Sequence, residues 1–223
     1  MDRHVNGMNV SKKNENSLII FLRYPEPGRV KTRLARDIGN ERAARVYKKM
    51  AEMVVENTAP RGVSYSTIVF YSPKESAPGV REWLRGSERG SVTRFLPQEG
   101  RTLGERIDSA FKTVFALGSR KAVIIGTDCP AVTNATIDTA FEALYDHDLV
   151  IGPAEDGGYY LLGLKAPRPA LFSRIEWGGE RVLEETLDRA VRDGLLTAQL
   201  ETLPDIDTYD DLLKHGTELL GDI

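Results

Sequence analysis

Short apolar runs rich in β-branched residues alternate with amphipathic helical stretches along this chain. The clearest run, Ala122–Gly126, is continuous and carries no charge, which is typical of a strand covered on both faces. Regular alternation of strands and helices favours a mostly parallel sheet between two layers of helices. The sequence therefore predicts a three-layer α/β/α sandwich.

The other elements complete this pattern. Further strands are expected over Ser17–Tyr24, Thr67–Ser72, Val92–Leu96, Asp148–Gly152, Tyr159–Leu164 and Leu196–Leu200. Helices are expected over Asn40–Asn57, around Trp83, and over Leu103–Leu117, Asn134–Tyr145, Glu180–Arg192 and Tyr209–Leu220. The sequence shows no internal repeat and no low-complexity linker, so we expect a flexible tail over residues 1–16 and a single domain over residues 17–223.

Composition excludes several classes of protein. A chain of 223 residues that is 41% hydrophobic can bury a full core and is not a disordered chain. Its net charge of −3 gives no global field for nucleic acid. The single cysteine, Cys129, excludes an intramolecular disulfide and a Cys-rich zinc site. No apolar run approaches the roughly 20 residues of a membrane span, and the polar start is unlike a secretory signal, so we expect a cytoplasmic protein.

Open parallel sheets place ligands beyond the carboxyl ends of their strands, so the loops that follow strands carry the functional argument. The first strand runs into a loop with Gly28, Arg29, Lys31 and Arg33. A glycine allows close approach of the backbone, while Lys31 and Arg33 can neutralise a polyphosphate. A solvated basic turn is an equally open interpretation of the same residues.

A carboxylate follows the central strand. Asp128 lies in the segment Gly126–Pro130, where it can hold Mg²⁺ or Mn²⁺ against a diphosphate, because these cations prefer oxygen ligands and use few protein carboxylates. The alternative is that Asp128 only caps the following turn. Cys129 is expected to be a packed residue rather than a nucleophile.

The segment Gly152–Tyr160 places the acids Glu155 and Asp156 before a Gly-Gly pair and two tyrosines. One acid can deprotonate an acceptor hydroxyl, and Tyr159 and Tyr160 can stack on a sugar or base. The Asp-Gly pair also predicts a hairpin turn. The two interpretations are compatible.

Acids also cluster before the last helix. Thr208 or Asp207 can cap that helix, and the acids that follow suit its first turn. Asp205 and Asp207 point to the same side of an extended segment, so one of them can be a second metal ligand. A weaker feature is the segment Gln98–Arg106, in which Thr102 and Glu105 form a capping box.

Five segments, taken in order, resemble a known family. They are FLRYPEPGRVKTRLA, LPQEGRTLGERI, VIIGTDCPAV, VIGPAEDGGYYLLGL and LPDIDTYDDL. The chain resembles the GT-A-like nucleotide-diphospho-sugar transferase superfamily, which has a Rossmann-like fold, and within it the arsenosugar-biosynthesis-type glycosyltransferases. The resemblance runs from about Ser17 to Leu213, and only Asp128 carries over from the D-x-D of glycosyltransferases, because D-C-P stands here.

Parts of the sequence also resemble phospholactate guanylyltransferases and molybdenum-cofactor nucleotidyltransferases. Lys31-Thr32-Arg33-Leu34 is similar to the K-S-R-L loop of the former, and Asp205-Ile206-Asp207-Thr208 is similar to the closing D-x-D-T segment. The resemblance implies nucleotide phosphates at Lys31 and Arg33, and a divalent metal on Asp128 helped by Asp207. Gly28, Gln98, Gly100 and Arg106 are further candidate nucleotide contacts.

The function expected from these residues is glycosyl transfer from a nucleotide-sugar to a small-molecule acceptor. Mg²⁺ or Mn²⁺ and the basic loop, including Lys31, would stabilise the departing nucleoside diphosphate, and Asp156 would help the acceptor hydroxyl attack. The alternative is nucleotidyl transfer, of guanylyl or cytidylyl type, with release of pyrophosphate. A non-catalytic nucleotide sensor is a third hypothesis. No nucleic-acid partner and no membrane span are expected, and a homodimer stays open.

Overall fold

The computed structural model describes residues 15–85 and 92–222. Its strands are β1 Asn16–Arg23, β2 Ser66–Ser72, β3 Val92–Pro97, β4 Lys121–Ile125, β5 Leu149–Pro153, β6 Tyr159–Leu164 and β7 Thr197–Gln199. Its α-helices are α1 Ala35–Ile38, α2 Asn40–Asn57, α3 Ala77–Leu84, α4 Leu103–Ala116, α5 Asn134–Ala143, α6 Val182–Arg192 and α7 Tyr209–His215. Short 3₁₀ helices lie at Lys74–Ser76, Pro169–Phe172 and Thr217–Asp222.

The seven strands form one sheet in the order β3-β2-β1-β4-β6-β5-β7. All neighbours are parallel except β6, which runs antiparallel to both β4 and β5. The predicted central strand, β4, does lie at the centre of the sheet. The prediction of a mostly parallel α/β/α sandwich is confirmed, and the Asp-Gly signal at residues 156–157 corresponds to the turn between β5 and β6.

Helices cover both faces of the sheet because side chains alternate along each strand. In β1, Leu18, Ile20 and Leu22 enter one core with residues of α2, α3 and α5. Ile19 enters the opposite core, where it meets α4 and α6. The near-continuous apolar sequence of β1 follows directly from this double burial.

Some boundaries differ from the predicted ones. The predicted closing helix over Tyr209–Leu220 divides at Gly216, between α7 and the last 3₁₀ helix. A Cβ atom at this glycine would lie 2.8 Å from Cδ1 of Ile206 and 3.0 Å from Cδ1 of Leu212, so a larger residue would have to displace these two methyl groups. Of the predicted tail over residues 1–16, residues 1–14 lie outside the described part of the chain. Asn16 already belongs to β1.

Among the described residues, we find no helix with the length and apolar character needed to cross a membrane.

Candidate active site

A cleft opens where the order of the strands reverses. The chain proceeds outward from β1 to β2 and β3, and then returns to place β4 on the other side of β1. The loops after β1 and β4 therefore diverge and leave a crevice at the carboxyl ends of these strands. The cleft has a volume of about 780 Å³, and seven predicted site residues line it: Lys31, Arg33, Gln98, Arg106, Asp128, Asp156 and Asp207.

Lys31 joins the two predicted metal ligands. Its ammonium nitrogen lies 2.5 Å from Asp128 Oδ1 and 2.7 Å from Asp207 Oδ1. The Lys31 side chain is only 2% exposed, whereas those of Asp128 and Asp207 are 56% and 39% exposed. Lys31 is thus a buried cation that is paired with two carboxylates open to solvent.

The charge and the backbone of Lys31 are both unusual. Burial lowers the pKa of Lys31, but the carboxylates of Asp128 and Asp207 outweigh burial and hold it above its ordinary value. Lys31 is therefore charged at neutral pH. Its backbone is left-handed, with φ of 45°, a conformation that is uncommon for a residue other than glycine. The surrounding contacts must compensate for this cost.

Backbone contacts bring the two acids together. The Ile206 amide donates a hydrogen bond to the carbonyl oxygen of Asp128 over 2.9 Å, and this bond ties the segment before α7 to the loop after β4. Thr208 caps α7 by accepting from the Asp211 amide. Because Thr208 supplies the cap, the Asp207 carboxylate is left to pair with Lys31.

Tyr47 supports the same loops from α2. Its hydroxyl oxygen accepts from the backbone amide of Arg23 at 2.7 Å and from the hydroxyl of Thr127 at 3.1 Å. These contacts link the end of β1 to the residue before Asp128. Burial, together with the negative charge of Asp128, raises the pKa of Tyr47 to about 12. The sequence predicted the helix Asn40–Asn57 but gave no sign of this role for Tyr47.

Two further acids line the cleft. Asp156 Oδ1 accepts a hydrogen bond from the Gly158 amide at 2.8 Å, which orients this carboxylate within the turn. Asp205 is partly buried in the same cleft. Burial first, and then the charge of Asp156 and of Asp207, raises the pKa of Asp205 to about 6. The sequence pattern placed Asp205 and Asp207 on one side of an extended segment, and both do line the cleft.

The basic loop divides into a part that lines the cleft and a part that does not. Arg33 is exposed and lies 4.0 Å from Asp207 Oδ2, so its guanidinium can reach a ligand. Arg29 is exposed, and neither Arg29 nor Gly28 is among the described residues that line the cleft. Gly28 has φ of 77° and therefore serves the turn itself.

Gln98 and Arg106 are held by the backbone around them. Gln98 Nε2 donates to the carbonyl oxygens of Leu22 at 3.2 Å and Phe70 at 3.0 Å, so its amide nitrogen is occupied by the ends of β1 and β2. Arg106 Nε donates to the Gly100 carbonyl at 3.0 Å. Gly100 is outside the set of described cleft residues, and a Cβ atom there would lie 2.8 Å from the Arg106 amide.

Aromatic side chains form one wall of the cleft. Tyr159 packs edge-on against Trp177, with ring centroids 6.4 Å apart, and both line the cleft. Tyr160 is buried, and its hydroxyl donates to the Glu201 carbonyl at 3.0 Å. Sequence reasoning missed Trp177, for which the only signal was a tryptophan directly before Gly178 and Gly179.

Comparisons with known proteins identify the family and the fold. The sequence model of an uncharacterized protein family conserved in bacteria, DUF2064, matches residues 57–179. A solved structure from Desulfovibrio desulfuricans G20, provisionally assigned as a nucleotide-diphospho-sugar transferase, is 31% identical with a TM-score of 0.82, over 92% of this chain and 88% of that chain. No curated protein matches the sequence.

Two more distant structures share the fold. One is a CMP:2-keto-3-deoxy-manno-octonic acid synthetase complexed with CTP, 12% identical with a TM-score of 0.60, over 93% of this chain and 99% of that chain. The other is 4-diphosphocytidyl-2C-methyl-D-erythritol synthase from Anaerococcus prevotii DSM 20548, 12% identical with a TM-score of 0.60, over 92% of this chain and 96% of that chain. At this identity the likeness concerns the fold.

Fold and relatives together define a transferase of the nucleotide-diphospho-sugar transferase superfamily, as the sequence motifs predicted. Within it, the chain belongs to the DUF2064 family.

Proposed function

We propose that this protein is a metal-dependent glycosyltransferase that uses a nucleotide-sugar donor and a small-molecule acceptor. The observation that carries the proposal is the convergence of Asp128 and Asp207 on one positive charge, Lys31, inside a cleft at the reversal of strand order. The 31% identical relative, assigned as a nucleotide-diphospho-sugar transferase, supports the choice of donor.

The donor set of the cleft fits Mg²⁺ or Mn²⁺. Oδ1 of Asp128 and Oδ1 of Asp207 both contact one nitrogen atom, so the two carboxylates are close enough to share a cation. Mg²⁺ is commonly held by one or two carboxylates, with phosphate oxygens and waters as its other ligands. When bound, such an ion would neutralise charge on the diphosphate leaving group.

The residues of the chain would divide the remaining work. Arg33 and Lys31 supply positive charge for the phosphates, with Arg106 and Gln98 further along the same cleft. Asp156 accepts the proton of the acceptor hydroxyl, whose oxygen forms the new bond to the sugar as the bond to the diphosphate breaks. The aromatic wall of Tyr159 and Trp177 offers a surface on which a sugar ring can stack.

Nucleotidyl transfer is the second candidate. The structure pairs Asp128 with Asp207 through Lys31, and these are the positions at which the sequence resembles guanylyl- and cytidylyltransferase-type enzymes. In that reaction an acceptor phosphate would attack a nucleoside triphosphate and release pyrophosphate.

We further propose that the chain acts as one domain over residues 17–223 and works in the cytoplasm.

A thermal-shift panel tests the proposal. The wild-type protein is heated with nucleoside triphosphates, nucleoside diphosphates and nucleotide-sugars, each with and without Mn²⁺. A ligand that binds the folded state raises the midpoint of unfolding, and we expect at least one nucleotide or nucleotide-sugar to do so only when Mn²⁺ is present. A panel in which none shifts the midpoint would contradict both candidates.

A further inference from the structure

The ammonium of Lys31 lies where the two proposed metal ligands meet. It is 2.5 Å from Asp128 and 2.7 Å from Asp207, and its side chain is almost inaccessible to solvent. The two carboxylates line the cleft, and their side chains are 56% and 39% exposed. Lys31 therefore already partly neutralises these acids when no ligand is bound.

This arrangement disfavours a free divalent cation. Among residues 15–85 and 92–222, no three acidic, histidine or cysteine side chains converge into a cage for a metal ion. A free cation would find two carboxylates that are already paired, and it would be repelled by a fixed ammonium within a few ångströms. In a partly buried site, both the attraction of Lys31 for the carboxylates and its repulsion of a second cation are much stronger than in bulk water.

A cation that arrives with a polyphosphate meets a different balance. The phosphate oxygens supply most of the ligands of the ion and bring negative charge that the positive side chains of the loop attract. Lys31 then interacts with the phosphates as well as with the acids, and Arg33 is exposed beside Asp207. The same lysine that repels the free cation thus favours the complex.

We propose that Lys31 is a built-in counter-cation that makes the cleft select a divalent cation already bound to nucleotide phosphates over the free cation. This inference rests on the proposed function and adds a selectivity role for Lys31. The left-handed backbone of Lys31, with φ of 45°, supports it. Such a conformation persists only where the surroundings hold it, and it is a common feature of functional sites.

The test compares two affinities in wild type and in Lys31→Met. Calorimetry measures the binding of MnCl₂ alone, and then of CTP, GTP and UDP-glucose in the presence of Mn²⁺. In Lys31→Met we expect binding of Mn²⁺ alone to tighten by about tenfold or more, because a like charge is removed. Binding of the nucleotide with Mn²⁺ should weaken by about tenfold or more, because a positive charge that attracts the phosphates is lost. A merely structural role of Lys31 would shift both affinities in the same direction.

Two further variants separate charge from other effects. Arg29→Met removes a cation from the same loop, but Arg29 is exposed and does not line the cleft, so both affinities should stay within about twofold of wild type. Lys31→Arg keeps the charge, and Mn²⁺ alone should bind as weakly as in wild type. In the absence of metal, the thermal midpoint of Lys31→Met should be lower than that of wild type, because Asp128 and Asp207 lose their shared partner. The midpoint of the variant should rise when Mn²⁺ is added.

A measurement on wild type alone can still overturn the proposal if Lys31→Met does not fold. We expect the nucleotide that binds to raise the apparent affinity for Mn²⁺ by at least about a hundredfold, a coupling that is reciprocal between the two ligands. If Mn²⁺ alone binds wild type as tightly as it binds with nucleotide, the counter-cation role is wrong while the proposed function stands. If no nucleotide or nucleotide-sugar binds wild type at all, it is the proposed function that fails.

Discussion

The backbone amide of Ile206 donates a hydrogen bond to the carbonyl oxygen of Asp128 over 2.9 Å. This bond joins the segment before the last helix to the loop after the central strand, and it sets Asp207 beside Asp128 around the Lys31 ammonium. The Ile206 side chain is completely buried among residues of α2 and α7. The position of the second acid therefore depends on packing as well as on charge.

Shortening Ile206 tests this dependence. Ile206→Ala should lower the free energy of unfolding by about 2–5 kcal/mol, because it removes buried methyl groups and leaves a cavity. If the segment moves as a result, binding of Mn²⁺ with nucleotide should weaken as well. Chemical denaturation and calorimetry measure the two effects. Ile137→Ala, an equally buried change in α5, is the control and should lower stability alone.

The basic loop should act through shape and not through charge alone. Arg33→Gln should weaken nucleotide binding by about 1–2 kcal/mol, the value of an exposed charged contact to phosphate, and should change stability by less than about 0.5 kcal/mol. The loss should diminish as salt is added. Arg29→Gln is the control, since Arg29 is exposed outside the cleft. Equal losses at both positions would indicate a diffuse basic patch.

The products distinguish the two proposed chemistries. A glycosyltransferase should slowly hydrolyse a nucleotide-sugar and release nucleoside diphosphate without pyrophosphate. A nucleotidyltransferase should release pyrophosphate from a nucleoside triphosphate only when a phosphorylated acceptor is present. Chromatography of nucleotides together with a pyrophosphate assay measures both. Pyrophosphate release alone would place nucleotidyl transfer first. Asp156→Asn should slow glycosyl transfer, in which Asp156 accepts the proton of the acceptor hydroxyl.

Buried tyrosines should make stability fall at high pH. Burial raises the pKa of Tyr47 and of Tyr160 to about 12. The pKa of an unfolded tyrosine is about 10. Because the folded state keeps these protons longer, their contribution to stability is complete below about pH 10 and is lost as pH rises towards about 12. Urea unfolding at increasing pH measures the loss. Constant stability across this range would contradict the burial of both hydroxyls.

The sequence predicted the layers of this fold better than the order of its strands. Apolar runs such as Ala122–Gly126 indicate double burial, and that signal depends on the residues alone. The hairpin predicted at Asp156-Gly157 implies that β6 runs antiparallel to β5. The insertion of β6 between β4 and β5 does not follow from the strand pattern of Tyr159–Leu164. The resemblance to a known superfamily carried the functional expectation that these patterns leave open.

The candidate site was predictable in its parts and not in its contacts. Lys31, Asp128 and Asp207 were each expected after strands, and the sheet brings such loops to one edge. The pairing of Lys31 with both acids is accompanied by a left-handed backbone at Lys31 and by the hydrogen bond between Ile206 and Asp128. The ion pairs of Lys31 and the bond between Ile206 and Asp128 do not follow from local sequence, since these residues are far apart along the chain. Gly28 and Gly100 were expected to contact nucleotide, and that role stays a prediction.

The most direct test of the site is Mn²⁺-dependent nucleotide binding by Asp128→Asn. The amide has the same size as the carboxylate, and Asp207 still pairs with the buried Lys31 ammonium, so the protein should keep its fold. Asp188→Asn, an exposed change on α6, is the matched control. In calorimetry with Mn²⁺ present, we expect nucleotide binding to be lost in Asp128→Asn and unchanged in the control. Equal affinity of Asp128→Asn and wild type would contradict the metal-assisted nucleotide site.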